Sequence, residues 1–508
     1  MSTISIFCGA IINPQSLTEY TVLPRALLAV DPTGTIAWIE REVDSCDVQK
    51  KINQRLSELK ASFGEDVHVF VTELQDGEFI LPGLVDTHTH APQVPNMGSG
   101  QQYELLDWLE NVTFPMESRF RDAEFAKMVY PDVVRRFIAF GTTTCCYYGT
   151  LHLESTKVLA DTILKLGQRA LVGKCNMDRN CPDYYREPSA GDSLKSTKEL
   201  IAYIRSLNSD LIHPVLTPRF AISCTSDLLR GLGDMARSDE TLAIQTHIAE
   251  NKGEIAFTKD LFNECKSYAD VYDSNDLLCE RTILAHAVHL DDHELDLVKK
   301  TGAGISHCPT SNFNLRSGMA HIGEMLDRGI KVNGTFLENV DDGELTSLLQ
   351  VGLGSDVSGG FSPSIVTAIQ HASMCSKMVA LQIAGRPSLS AKSSRFAGKQ
   401  LPIATLLYLA TLGGASLCCM ENKIGSFTPG KSFDALIVSV RPETGNPAIW
   451  SMPGEFSGAR NQTEEEAKKR LDALLEQFLF GGDDRNILKV FVQGKCIGGT
   501  LLRGSLKN

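Results

Sequence analysis

The chain has 508 residues, 43% of them hydrophobic, enough for one large domain and a smaller one. A formal net charge of −13 and a pI near 5.5 argue against non-specific binding to nucleic acid or anionic membrane and favour a small neutral or cationic ligand. No apolar run reaches the roughly 20 residues that span a bilayer, Met1 to Pro14 has no basic residues ahead of an apolar stretch, and the 14 cysteines lack any Cys-x-x-Cys spacing; a reduced, cytoplasmic protein without nucleic-acid or membrane partners is expected.

Along the chain, residues 1–79 hold short β-type runs at 4–7 and 67–71, separated by a charged, helix-like stretch over 43–60. Residues 425–508 resemble them, with strand-like runs at 434–438 and 490–495, the latter ending in a Gly494-Lys495 turn, around an amphipathic stretch at 463–480. The two ends are expected to pair into one small β domain. Between them, over 80–424, strand-like runs alternate with helical ones: 79–90, 142–147, 170–176, 213–219, 242–247, 282–286, 304–307 and 350–356. Eight such strands predict an α/β fold, a (β/α)8 barrel of the TIM type, with its chemistry at the C-terminal ends of the strands.

Most of the 12 histidines fit a surface or hydrogen-bonded core role, among them His68, His152, His213, His289, His293, His321 and His371. Four do not. His88 and His90 stand two apart at the end of an apolar run, so on a strand both imidazoles point to one side. His247 and His286 end the runs at 242–247 and 282–286, and Asp356 ends the run at 350–356. Such groups are costly in a strand interior and tolerable at a strand mouth that holds a metal. Three imidazoles and a carboxylate suit Zn²⁺ or Fe²⁺ better than Mg²⁺ or Ca²⁺. His88, His90, His247 and Asp356 are therefore the expected ligands, with His286 beside the metal or as a further ligand.

The order His-x-His, His, His, Asp along a barrel resembles the amidohydrolase superfamily. Its two-metal members carry a bridging lysine on the fourth strand. Here that strand reads His213-Pro214-Val215-Leu216-Thr217-Pro218-Arg219, without lysine, so the resemblance is to the one-metal deaminase branch, with one Zn²⁺ per chain. In the chemistry this implies, the zinc lowers the pKa of a water to about 7. Asp356 takes the proton of the attacking water, Glu250 protonates the ring nitrogen beside the attacked carbon, and His286 orients the nucleophile. Glu250 could otherwise be a solvated carboxylate at a helix start. His152-Leu153-Glu154 matches half of another zinc-deaminase motif, but no Pro-Cys-x-x-Cys accompanies it.

Finer motifs narrow the resemblance to superfamily members that hydrolyse guanine to xanthine and ammonia. They include Asp86-Thr87-His88-Thr89-His90-Ala91-Pro92-Gln93, Thr217-Pro218-Arg219-Phe220, His247-Ile248-Ala249-Glu250-Asn251, His307-Cys308-Pro309-Thr310-Ser311-Asn312 and Gly354-Ser355-Asp356-Val357-Ser358-Gly359-Gly360. The resemblance assigns substrate contacts to Gln93, Arg219 and Phe220, together with His247 and Glu250, and implies a homodimer. The chemistry agrees: a guanidinium offers donors to the O6 edge, a carboxamide both donates and accepts, and a phenyl ring stacks on a planar base. Arg219 could instead serve a structural ion pair and Phe220 an ordinary core. The rival readings are another amidohydrolase acting on an aminated heterocycle, such as adenine or a triazine, and a non-catalytic scaffold on the same fold.

The eighth strand departs from this pattern. It begins Gly329-Ile330-Lys331-Val332, breaks off, and resumes at Val351 after a stretch bearing Glu338, Asp341, Asp342 and Glu344. Charges are unexpected in a strand buried on both faces. Removing residues 332–350 joins Lys331 to Val351-Gly352-Leu353-Gly354-Ser355-Asp356. Val332-Asn333 can be encoded GTAAAT, Leu345-Thr346 CTAACT and Gln350 CAG, the elements of a spliced intron. The hypothesis is that residues 332–350 translate a retained intron; the alternative is a genuine loop in which residues 348–351 replace the start of the strand. Sequencing the mature transcript decides between them: an abundant message that keeps these codons removes the intron hypothesis.

Overall fold

The computed structural model of the chain describes residues 3–43, 47–63, 67–329, 350–384, 394–452, 454–456 and 462–505. Five strands come first: β1 (Thr3–Pro14), β2 (Tyr20–Val30), β3 (Ile36–Arg41), β4 (His68–Glu73) and β5 (Glu78–Pro82). A helix, Val48–Phe63, lies between β3 and β4. The barrel strands follow: β6 (Leu84–His90), β7 (Thr142–Tyr148), β8 (Arg169–Gly173) with its short continuation β9 (Cys175–Asn176), β10 (Ile212–Pro218), β11 (Ala243–Ile248), β12 (Thr282–His286), β13 (Gly304–His307) and β14 (Gln350–Leu353). The chain then returns to the first sheet with β15 (Ala435–Ser439), β16 (Ile487–Val492) and β17 (Lys495–Gly498).

The two ends do pair. One sheet runs β17-β16-β15-β5-β1-β2-β3, with β4 parallel to β1, and β5 is antiparallel to β15 with Leu81 opposite Leu436. Its core gathers Phe7, Phe433 and Phe491, with the Phe7 and Phe433 ring centroids 4.8 Å apart. The β16–β17 hairpin turns through Gln493 and Gly494, at φ 49° and 71°, the two positive φ values of a type I′ turn. The helix Glu464–Gly481 opens with a capping box in which Thr463 and Glu466 satisfy each other's backbone N–H groups.

The second sheet runs β14-β13-β12-β11-β10-β8-β7-β6, all parallel. Hydrogen bonds bring its ends together: Thr87 Oγ1 donates to Leu353 O at 2.9 Å, Asp356 N to His88 O at 2.9 Å and His90 N to Val357 O at 3.1 Å. The result is a TIM-like barrel with helices outside it and a separate sheet built from the termini. These strands are buried on both faces, as a parallel sheet between a filled interior and a helical layer requires. Among the described residues, no helix is long and apolar enough to cross a membrane.

Three expectations need correction. Residues 79–90 are not one strand. β5 belongs to the terminal sheet and β6 to the barrel, and the chain changes sheets at Gly83, where a Cβ would lie 2.1 Å from Thr143 Oγ1. The run at 170–176 is interrupted at Lys174, a buried ammonium that pairs with Glu187 and so leaves the ladder. The strand at 350–356 ends at Leu353; Asp356 lies in the turn beyond it. Residues 332–349 of the intron hypothesis lie outside the described residues. Gln350 opens β14 opposite Gly304.

Candidate active site

The C-terminal ends of the barrel strands carry the residues that the sequence singles out. Strand alternation puts His88 and His90 on one side of β6; His247 is the fifth residue of β11, and His286 ends β12. Asp356 and His286 are non-glycine residues in the left-handed region, at φ 46° and 74°. Each costs roughly 1–2 kcal/mol over right-handed backbone. Hydrogen bonds fix both turns, from Asp356 N to His88 O and from Ala287 N to Ile248 O at 3.1 Å.

The structure brings His88, His90, His247 and Asp356 together, with one ligand atom from each inside a span of 4.8 Å. Asp356 Oδ1 lies 3.1 Å from His88 Nε2 and 3.3 Å from His90 Nε2. His90 Nε2 and His247 Nε2 are 3.2 Å apart. His247 Nδ1–H donates to Arg219 O at 2.5 Å, which leaves the Nε2 lone pair facing the cluster. Burial holds all three imidazoles below their ordinary pKa, His90 at about 4, so they are neutral at neutral pH. Neutral nitrogens and a carboxylate converging in a buried space, with His286 Nε2 making no hydrogen bond, fit a cation at their centre.

Two further groups adjoin the cluster. His286 Nε2 is 3.7 Å from Asp356 Oδ2 and 3.5 Å from Glu250 Oε2. Glu250 is buried just before the helix Lys252–Leu261, which Asn251 and Glu254 close with a capping box. It accepts from Ser317 Oγ at 3.1 Å. Burial, then the negative charges of Asp356 and Glu254, push its carboxyl well above the usual carboxylate range. Asp356 moves the other way. Burial alone would raise it, but the hydrogen bonds and charges of the surrounding histidines hold it well below that range. One carboxyl is thus poised to donate a proton and its neighbour to accept one.

Next to the cluster is a cavity lined by Gln93, Arg219, Phe220, Trp108, Glu250 and Leu315 among others. All three expected substrate contacts reach it. Gln93 sits on the 3-10 turn Ala91–Asn96 directly after β6, and Phe220 packs edge-on to His247 at 6.0 Å. Arg219 is ion-paired: its Nη1 donates to Glu117 Oε2 at 2.7 Å, while its Nε is buried without a partner. Ion pairing and a share in the cavity lining coexist in this one residue.

Three residues that the sequence reading assigned no role also shape the site. Asp86 accepts from Ser355 N at 3.0 Å, Ser355 Oγ at 2.5 Å and His88 N at 3.2 Å, tying β6 to the turn that carries Asp356; burial pushes its carboxyl up to about 7. Asn312, at the end of the His307–Asn312 motif, accepts from His286 Nδ1 at 2.9 Å. Glu117 is fully buried. Its signal was present in the sequence: Phe114, Glu117 and Phe120 recur every third residue, which sets a carboxylate on an apolar face.

An amidohydrolase family model matches residues 79–497. A probable guanine deaminase of Schizosaccharomyces pombe is 40% identical over 508 residues, all of this chain and 86% of that protein. The human guanine deaminase is 35% identical over 494 residues, 97% of this chain and 96% of its own. Among solved structures, a guanine deaminase from C. acetobutylicum with guanine bound in its active site superposes with a TM-score of 0.77 at 32% identity, covering 97% of this chain and 100% of that one.

Proposed function

The chain belongs to the amidohydrolase family, a family of metal-dependent hydrolases, and from that premise we propose how its buried site carries out the reaction of its guanine deaminase relatives. The enzyme hydrolyses guanine to xanthine and ammonia. The observation that carries this reading is the opposed pair Glu250 and Asp356 beside a set of metal-ligating imidazoles, opening on a cavity that Arg219, Gln93 and Phe220 line.

His88, His90, His247 and Asp356 would hold one Zn²⁺ per chain, with His286 beside it. When bound, the zinc supplies Lewis acidity that brings the pKa of a water to about 7. Asp356 takes the proton of the attacking water as its oxygen bonds to C2 of the base. Glu250, protonated through its raised pKa, gives its proton to the ring nitrogen next to C2, so negative charge does not build up there. His286, held by Asn312, orients the nucleophile. The proton collected by Asp356 then passes to the amino group; the C2–N bond breaks, ammonia leaves, and the C2 hydroxyl gives its proton back to Glu250 as the carbonyl of xanthine forms. Arg219 donates to the O6 edge through its unpartnered Nε, Gln93 reads the adjacent edge, and Phe220 supplies an aromatic face.

Incubation of the purified chain with guanine tests the activity: the guanine absorbance is expected to fall as xanthine appears in equal amount, and absence of turnover in a metal-loaded chain would refute it. Chelation is expected to abolish turnover, and Zn²⁺ at one equivalent per chain to restore it. Restoration only at two equivalents would remove the single-metal reading. We also assign a homodimer, supported by Met374, Met378 and Leu381, 58%, 48% and 68% exposed along one side of the helix Ile365–Ala384. Light scattering that returns the monomer mass would exclude it. The reduced pattern of cysteine usage supports a cytoplasmic setting, which fractionation of the source cells checks.

A further inference from the structure

Beside the metal cluster, the Glu117 carboxylate is tied to three side chains at once. It lies on the short helix Phe114–Ser118, fully buried, and accepts three side-chain hydrogen bonds: from Gln93 Nε2 at 2.7 Å, Arg219 Nη1 at 2.7 Å and Tyr185 Oη at 2.6 Å. Two of those donors line the cavity beside the metal cluster. Burial alone would raise the Glu117 carboxyl; the charge and hydrogen bond of Arg219 outweigh it and hold the group below its ordinary value. The Phe114 ring, three residues earlier, packs 5.4 Å from the Arg219 guanidinium carbon and confines it further.

A carboxylate accepts and never donates, so whatever faces it must present N–H or O–H. The Gln93 amide is therefore turned with its NH2 to Glu117. Its carbonyl oxygen faces the opposite way, where Ser358 N donates to it at 3.0 Å, with one lone pair still available. Both ends of the amide agree on this orientation. Arg219, fixed through Nη1, keeps Nε–H unpartnered. The cavity wall thus offers a donor from Arg219 and an acceptor from Gln93.

We propose that Glu117 is a specificity-determining positioning residue: by accepting from Gln93 and Arg219 together, it sets the wall to read a lactam edge, a ring carbonyl beside a ring N–H. This inference rests on the guanine reading above. The O6 and N1–H of guanine match the pattern. A 6-amino purine with an unprotonated N1, such as 2,6-diaminopurine, presents the reverse pattern, donor where acceptor is needed and acceptor where donor is needed.

The test is the ratio of the inhibition constant of 2,6-diaminopurine to the KM of guanine, in zinc-loaded enzyme. In Glu117→Gln, the neutral amide can donate as well as accept, and Gln93 is free to turn. The KM for guanine is expected to rise about 10- to 100-fold, corresponding to one or two weakened charge-assisted hydrogen bonds. The inhibition constant is expected to fall or hold, narrowing the ratio at least about tenfold, with kcat changed far less than KM, because Glu117 touches no reacting atom. Glu117→Asp, which keeps the charge, is expected to restore most of the ratio. Gln93→Leu leaves the Glu117–Arg219 pair in place and is expected to narrow the ratio in the same way, so the inference stays testable if Glu117→Gln does not fold. A ratio unchanged from wild type in either metal-loaded variant, or a Glu117→Gln enzyme that loses kcat in place of KM, overturns it. Wild-type enzyme that fails to turn over guanine would refute the functional reading, whereas wild-type turnover with unchanged ratios refutes this inference alone.

Discussion

Glu250→Gln is expected to retain its metal and to lose about 10²- to 10⁴-fold in kcat for guanine, the usual contribution of a positioned acid. The carboxamide keeps the shape of the carboxyl and its contact with Ser317 but carries no proton to transfer. The pH dependence gives a second signature. Burial beside Asp356 raises the Glu250 carboxyl, so the active, protonated form persists above the ordinary carboxylate range and is lost as pH rises through the raised value. Wild-type kcat/KM is expected to fall along that alkaline arm, and the arm to vanish in the variant. Stability follows the same sign. A carboxyl raised in the folded state holds its proton after the unfolded chain has released it, so this residue lowers stability as pH rises from the unfolded value to the folded one. The glutamine has no such slope, and the variant is expected to be no less stable than wild type at neutral pH. Near-normal turnover with full metal content would take Glu250 out of the mechanism.

Arg219→Ala is expected to lower kcat/KM for guanine by about 10- to 150-fold, the range for removing a hydrogen bond from a charged donor, while zinc content stays unchanged. His247 keeps its orientation because it is held by the backbone carbonyl of residue 219, which alanine retains. The larger cost is to the fold. Without the guanidinium, Glu117 is a fully buried carboxylate with no cation, and breaking a buried pair costs about 3–5 kcal/mol. In wild type the carboxyl of Glu117 is depressed, so its stabilising contribution is present above the unfolded carboxylate pKa and is lost as pH falls through the folded value. The variant lacks that contribution, and its Tm deficit is expected to be larger at pH 8 than at pH 5, where protonation relieves the bare charge. Unchanged guanine turnover would mean that other residues read the base.

The boundary errors share one cause. A sequence read for hydrophobic alternation records that residues 79–90 are apolar and extended, but not which sheet each half joins. That depends on Asp434 O, far along the chain, accepting from Gly83 N at 2.9 Å. Lys174 looks like one charge inside a strand until Glu187 is beside it. Glu117 carried a local signal, but without Gln93, Tyr185 and Arg219 around it there was no reason to give it more than a structural part.

By itself, the sequence determined the barrel, the pairing of the two ends and the identity of the groups at the strand mouths, because each rests on short-range regularities: strand alternation puts His88 and His90 on one side, and an apolar run ending in a polar residue marks a strand end. The tertiary structure alone decided how those groups act on one another. The polarity of the Gln93 amide, the free Nε of Arg219, the tautomers of His247 and His286, and the opposite pKa displacements of Glu250 and Asp356 depend on distances of about 3 Å between residues far apart in sequence, and on burial that removes water from between them. Coulombic and hydrogen-bond energies change steeply over such distances in a low-dielectric interior, and residue spacing along a chain does not encode them.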